Sequence, residues 1–244
     1  MAKQQNQERG RLFSKTPVST LEKAPRIWQE LAPLDPEIRK EFLRDYWINT
    51  LTYSPEVYAL VDHFFKSLSG VDLLIESGRL YLVYSKENGR EKFFGAPPLS
   101  QREALEMMDS LDLALPDLFV RFLSIHHGFS KNQEDSIFSL ERMGEKKRKL
   151  SFLQKPFRMG DKRISGSQLL PFFEAQDGSL LGCFYDQNRE SLPATLMLLL
   201  ETQEVLAQWN RKEGRTDPTF VDFLTLLLEG QNLETLLKEQ IRQK

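Results

Sequence analysis

The chain has 244 residues, of which 40% are hydrophobic and 28% are charged. This composition is typical of a globular protein with a core of useful size, and it excludes an intrinsically disordered chain. The 33 basic and 35 acidic residues give a formal charge of −2, so no overall positive field is present to hold nucleic acid or an anionic membrane. We therefore expect neither as a partner.

Cysteine content and hydropathy predict the compartment. The single cysteine, Cys183, cannot form a disulfide within the chain. No apolar run has the length of a signal-peptide core or of a membrane span. These features predict a cytoplasmic protein, and no residue set calls for a cofactor or a metal ion.

The N-terminal part divides into a tail and a small unit. Residues 1–20 are polar with few apolar side chains, so we expect a disordered tail. Residues 21–95 are predicted to form helices followed by a β-meander. Two of the helices begin with a capping residue and a proline, at Asp35-Pro36 and Ser54-Pro55. After Gly70 the apolar pattern changes to β-branched and aromatic runs separated by turn residues, which predicts three strands.

The helix that begins at Asp35-Pro36 has large apolar residues at helical spacing. We interpret these residues as its core face: Ile38, Phe42, Leu43 and Trp47.

The stretch Gly95-Ala-Pro-Pro98 is the predicted boundary of a second domain, residues 96–230, because consecutive prolines stop both helix and sheet. A helix over about 101–109 leads into a shorter helix that Pro116 opens and Gly128 closes. Further along, the turn Asp177-Gly178 predicts a tight hairpin.

The remaining segments complete an antiparallel sheet. Strands are predicted near 136–140, 168–173, 179–185, 195–200 and 205–209. A polar basic loop follows the first of these strands. A core helix is predicted from Asp217-Pro218 to Gly230, and residues 231–244 are predicted to form a last helix. The predicted fold class is therefore α+β, an antiparallel sheet flanked by helices and preceded by a smaller unit of helices and a β-meander.

Polar residues that could carry chemistry are few. The pair His126-His127 follows a helix, and adjacent residues point about 100° apart, so a role at the helix C-terminus is favoured over a shared metal ion. Cys183 lies in an apolar strand, as inert core cysteines do. Asp186, Glu174 and Asp177 place carboxylates near one sheet end, where hydrolytic work would need a separation that the sequence does not give.

One local basic cluster stands out, and it consists of Lys146, Lys147, Arg148 and Lys149. A short run of this kind can be a nuclear-import or polyanion-binding signal. We favour a solvated loop between strands.

Between about 101 and 230 the order of elements and several local patterns resemble the SUKH superfamily of fungal cell-wall synthesis regulators and bacterial immunity proteins. The matching patterns are Leu115-Pro116, Phe119-Val-Arg-Phe-Leu123, His127-Gly128, Leu169-Leu170-Pro171-Phe172, Asp177-Gly178, Cys183-Phe184-Tyr185-Asp186 and Thr219-Phe220-Val-Asp-Phe223-Leu224. The sequence departs from the family at His127, where asparagine is usual, and in the charged insertion 144–165.

The resemblance implies a binding module without enzymatic activity, an immunity or regulatory protein whose sheet and loops hold a protein partner. Its contacts are expected at Leu115, Phe119, Tyr185 and Asp186. The alternative is a hydrolase or transferase that uses the carboxylates near the sheet end or the histidine pair. A weaker third hypothesis is a nucleic-acid or nuclear-directed role of the basic cluster.

Overall fold

The computed structural model describes most of the chain between residues 24 and 229. The described residues are 24–51, 54–76, 79–86, 89–111, 115–132, 135–152, 156–159, 162–175, 178, 180–185, 194–199, 204–206 and 219–229. The predicted tail at 1–20 and the predicted last helix at 231–244 lie outside them.

Helices make up much of this part. They are α1 (Arg26–Leu31), α2 (Pro36–Leu51), α3 (Pro55–Lys66), α4 (Gln101–Leu111), α5 (Asp117–Leu123), α6 (Leu140–Ser151) and α7 (Phe220–Glu229), with a short 3-10 helix at Gly166–Gln168.

The strands form one sheet. They are β1 (Leu68–Glu76), β2 (Arg79–Lys86), β3 (Lys92–Gly95), β4 (Phe129–Lys131), β5 (Asp135–Ile137), β6 (Phe157–Met159), β7 (Lys162–Ile164), β8 (Leu169–Glu174), β9 (Leu180–Tyr185), β10 (Ala194–Leu199) and β11 (Glu204–Leu206). Their order is β1-β2-β3-β4-β5-β8-β9-β10-β11-β6-β7. All neighbours are antiparallel except β11 and β6. Because α2 packs against β1 and α6 against β8, the prediction of an α+β fold with helices flanking an antiparallel sheet is confirmed.

The N-terminal helices and meander form as their start signals predict. Asp35 accepts a hydrogen bond from the Glu37 amide at 3.0 Å, which caps α2. Ser54 accepts one from the Val57 amide at 3.3 Å, which caps α3. The strands β1, β2 and β3 then pair in sequence order, as a meander requires.

A buried arginine ties this region together. Arg39 of α2 is 7% exposed. Its guanidinium donates to the carbonyl oxygens of Leu31 at 3.2 Å, Leu34 at 3.0 Å and Val71 at 2.7 Å, and to Oδ1 of Asp72 at 3.1 Å. The charge is thus satisfied mainly by backbone acceptors, and the group joins the loop before α2 to β1.

The sheet continues across the predicted domain boundary. Strand β3, which ends at Gly95, pairs with β4 through Phe94 and Ser130. Just after β3, the Ala96 amide donates to the Gly128 carbonyl at 3.0 Å. The two predicted units therefore share one sheet, and the division into two domains stays a prediction.

The prediction of a basic loop is wrong, because its residues lie in helix α6: Lys146, Lys147, Arg148 and Lys149. Ser139 caps this helix by accepting from the Arg142 amide at 3.4 Å. The helix buries Leu140, Met143 and Leu150, a spacing that places all three on one face. The charged residues obscured this sparse apolar stripe in the sequence.

Two strands after α6 were not predicted. The strands β6 and β7 pair with each other inside the charged insertion, and β6 makes a parallel bridge from Arg158 to Glu204 of β11. Each has three residues, which is too short for an alternating pattern to stand out.

The predicted hairpin of β8 and β9 is confirmed, with Leu170 opposite Phe184. Gly178 in its turn has φ +69°, the left-handed conformation that glycine adopts without steric cost. The strands β10 and β11 also pair antiparallel, as expected.

The final core helix is also confirmed, but its described cap differs from the predicted one. The prediction Asp217-Pro218 lies outside the described residues. Thr219 and Asp222 instead cap each other: the Thr219 amide donates to Oδ2 of Asp222 at 2.7 Å, and the Asp222 amide donates to Oγ1 of Thr219 at 3.4 Å.

The core contains two aromatic groups that touch. One surrounds Trp47, whose ring lies 5.7 Å from that of Phe65 and 5.8 Å from that of Phe122. The other is centred on the stacked rings of Phe172 and Phe184, 4.2 Å apart. Phe122 bridges the two groups, because it also lies 5.6 Å from Phe220 in the second.

Gly95→Ala tests the close contact at the junction of β3 and β4. A Cβ there would lie 2.2 Å from Cε1 of His126, so the buried ring would have to move. We expect the free energy of unfolding, measured by urea denaturation, to fall by about 2–3 kcal/mol.

The matched control is Gly70→Ala in β1, where an added Cβ meets nothing within 4 Å. Its effect should stay within about 0.5 kcal/mol. Similar losses in the two variants would contradict the packing described at Gly95.

Candidate functional site

The predicted contact residues Leu115 and Phe119 belong to the core. They are 6% and 0% exposed. The ring of Phe119 lies 5.2 Å from that of Phe184 and 5.1 Å from that of Phe220. The apolar side of α5 faces the sheet, and Leu115 is buried just before the helix begins. Neither side chain is therefore presented to a partner.

The other predicted contact lies at the end of β9. Tyr185 is half-buried and pairs with Leu169 of β8 and Ala194 of β10. Asp186, the next residue, lies outside the described part of the chain, as does Asp177. Contact at this strand end therefore stays a prediction.

Glu174, the remaining carboxylate of the hydrolase hypothesis, is held by two cations. It accepts from Arg142 at 2.6 Å and from Lys146, both on α6. The two cations also lie over the ring of Phe138, at 4.5 Å and 5.6 Å from its centre. These contacts hold α6 against β8, so Arg142 and Lys146 both have a structural role.

The other basic residues of α6 differ in their surroundings. Arg148 and Lys149 are exposed, while Lys147 is half-buried. Nε of Arg148 donates to the Gly144 carbonyl of its own helix at 3.4 Å.

A buried polar chain connects elements from both sides of the predicted boundary. His126 is 0% exposed, and its Nδ1 lies 3.0 Å from the Ala96 carbonyl oxygen. Its Nε2 lies 2.7 Å from the hydroxyl of Tyr84. The Trp47 indole donates to the same hydroxyl at 3.3 Å. We call these four residues the His126 network.

The partners of the His126 network determine its proton positions. A carbonyl oxygen only accepts, so Nδ1 of His126 carries the hydrogen and donates to Ala96. Nε2 then has a free lone pair, and the Tyr84 hydroxyl donates to it. Each polar atom of the ring is satisfied when the ring is neutral.

Burial keeps the network uncharged. It lowers the pKa of His126 to about 3, although the hydrogen bond to Ala96 acts in the opposite direction. Burial also raises the pKa of Tyr84, against the hydrogen bond from Trp47. Neither group titrates near neutral pH, so the network supports the core and offers no general base to a substrate.

His127 caps the next helix. Its Nε2 accepts from the Leu140 amide at 3.0 Å, at the start of α6. Oε2 of Glu141 lies 3.3 Å from the same nitrogen, but a nitrogen that accepts the amide hydrogen cannot also donate. Burial lowers the pKa of His127 against the attraction of Glu141 and Glu103. Neither histidine side chain therefore binds at the C-terminus of α5, although the sequence favours that role.

Cys183 is buried in β9, and burial raises the pKa of its thiol. This agrees with the predicted packing role. Among the described residues, no group of three or more His, Cys, Asp or Glu side chains is arranged to hold a metal ion. In the same part of the chain, no helix has both the length and the apolar character that crossing a membrane requires.

Among the residues that the structure describes, five large apolar side chains are exposed. They are Ile38 at 54%, Phe42 at 44%, Tyr58 at 46%, Leu105 at 51% and Phe152 at 84%. The interpretation of Ile38 and Phe42 as core residues is therefore wrong.

The sequence does contain a signal for the exposure on α2. Leu43, Trp47 and Leu51 form the buried stripe. Ile38 and Phe42 form a second stripe, and Phe42 precedes Leu43 by one residue, which is about 100° around a helix.

No protein-family model and no curated protein matches this chain.

His126→Gln tests the neutral buried ring, because glutamine keeps an acceptor for Tyr84 and a donor for Ala96. The folded pKa of about 3 lies below the ordinary value of 6.5, so the unfolded chain binds the proton more strongly between these values. The neutral His126 ring therefore makes its full contribution to the free energy of unfolding above pH 6.5, and this contribution is lost as the pH falls towards 3.

Between about pH 6 and pH 4 the free energy of unfolding of the wild type should fall more steeply than that of His126→Gln, by about 1.4 kcal/mol per pH unit. Urea denaturation across this range measures both slopes. Equal slopes would show that the ring is not held in its neutral form.

Proposed function

We propose that the chain is a non-enzymatic protein-interaction module of the SUKH type, an immunity or regulatory protein that acts in the cytoplasm by binding another protein. The resemblance over residues 101–230 supplies the class. The α+β architecture agrees with that class.

One observation supports a binding role over a catalytic one. Four described groups that could act as nucleophile, base or acid have structural roles. His126 is enclosed in its network, His127 caps α6, Cys183 is packed in β9, and Glu174 is paired with two cations. Using Glu174 for hydrolysis would require breaking both of its ion pairs.

The exposed apolar side chains supply a source of binding energy. Burying a phenylalanine side chain contributes about 1.5–3 kcal/mol, and aromatic residues carry much of the affinity of protein interfaces. Phe42 on α2 is available for this purpose.

Within the SUKH-like part, the proposed contact is the end of β9 at Tyr185 and Asp186. Tyr185 retains partial exposure, and a tyrosine at a strand end can contribute both an apolar ring and a hydroxyl to an interface. Strands β8 and β10 on either side hold the position of β9.

Partner capture followed by reconstitution tests the proposal. The full-length chain should retain a protein from extracts of its source cells, and the two purified proteins should form a complex of fixed stoichiometry. Asp186→Arg should raise the dissociation constant about tenfold or more, as interface hot spots do. Isothermal titration calorimetry measures the constant.

Tyr58→Ala is the matched control, because it removes an exposed aromatic side chain from α3. It should leave the affinity unchanged, and thermal unfolding should show that both variants are folded. The proposal is contradicted if no partner can be reconstituted, or if the pure chain turns over a substrate in a way that Glu174→Gln abolishes.

A further inference from the structure

The outer face of α2 carries an apolar strip without a partner in the described part of the chain. Ile38 and Phe42 lie one helical turn apart on the same side of α2. Their exposed fractions are 54% and 44%, and neither belongs to the cluster of buried core residues. Both project from a helix of 16 residues, about 24 Å long, so the strip has a rigid base.

The basic residues of α2 bind groups on other elements of the fold. Arg39 is buried against backbone carbonyls and Asp72. Nζ of Lys40 donates to the Leu68 carbonyl at 3.3 Å. Arg44 donates to Asp62 of α3 at 2.9 Å. All three cations bind groups on neighbouring elements, and Lys40 and Arg44 also pair with Glu37 and Asp45 of the same helix.

The carboxylates of the same helix point outward. Glu37 and Asp45 side chains are 63% and 67% exposed while they pair with Lys40 and Arg44. Glu41 lies between them in the sequence and is exposed. These three positions recur every four residues, so they form an acidic stripe beside the apolar one.

We propose that this face, defined by Ile38, Phe42 and Glu41, binds a basic amphipathic segment of a protein partner, with lysine or arginine side chains flanking apolar ones. The apolar strip gives such a segment a surface to bury, and the exposed carboxylate of Glu41 complements its charge. An acidic or purely polar segment lacks one or both of these contacts. The inference rests on the proposed interaction function but names a surface outside the SUKH-like part.

Fluorescence anisotropy with two synthetic peptides tests the inference on the full-length chain. The probe is an 18-residue helical peptide with a leucine stripe flanked by lysines, and the control peptide has glutamate in place of every lysine. The lysine peptide should bind the wild type at least about tenfold more tightly than the glutamate peptide. Raising the salt concentration from 50 to 200 mM should weaken its binding several-fold.

Three variants locate the binding. Phe42→Ser and Glu41→Lys should each weaken the lysine peptide about tenfold, whereas Phe152→Ser, which removes the exposed aromatic residue after α6, should not. Both α2 positions are exposed, so thermal unfolding should remain close to that of the wild type. Equal binding of the two peptides, or equal binding by wild type and Phe42→Ser, would overturn the inference.

Self-association is a separate outcome, since the exposed Arg148, Lys149 and Phe152 could occupy the same face of a second copy. Analytical ultracentrifugation tests this outcome. If the wild type is a dimer and both Phe42→Ser and Phe152→Ser are monomers, the face binds a second copy of the chain and the inference is overturned. If the natural partner binds Phe42→Ser and wild type equally, this inference fails while the proposed function stands.

Discussion

The hydrogen-bonded chain from Trp47 through Tyr84 and His126 to Ala96 is the interaction on which the arrangement of the molecule depends. Its members come from α2, from β2, from the segment after α5 and from the segment after β3. Leaving one of these buried groups without a partner costs about 1–3 kcal/mol. The network therefore joins the N-terminal elements to residues 96–129 and holds α2 in one orientation against them.

That orientation has a consequence for the surface. With Trp47 fixed inward in the aromatic group, the opposite side of α2 must face outward. Arg39 reinforces this by binding the loop before α2 and the start of β1. The outer face of α2, with Ile38 and Phe42, is thus a product of how the core is packed.

Much of the fold could be predicted from local patterns. Capping residues with a following proline located α2 and α3, and Gly178 located the hairpin of β8 and β9, because each of these signals acts within a few residues. The helix α6 was missed because only three of its twelve residues form the buried stripe. The strands β6 and β7 were missed because their pairing partners, not their own sequence, determine them.

The candidate site was harder to predict, since burial depends on contacts distant in sequence. Phe119 and Phe42 are both helical aromatic residues, yet one is 0% and the other 44% exposed. His126 is also unexceptional in the sequence. Its role appears only when Tyr84 and Ala96, which lie 42 and 30 positions away, are brought to its ring.

Native-state hydrogen exchange of the amides in β2 and β9 tests most directly whether the His126 network makes the molecule one cooperative body. In the wild type the slowest amides of both strands should exchange with the same free energy of opening. In Tyr84→Phe both should lose about 2 kcal/mol together. A loss confined to β2, with β9 unchanged, would contradict the account and show that the two parts unfold separately.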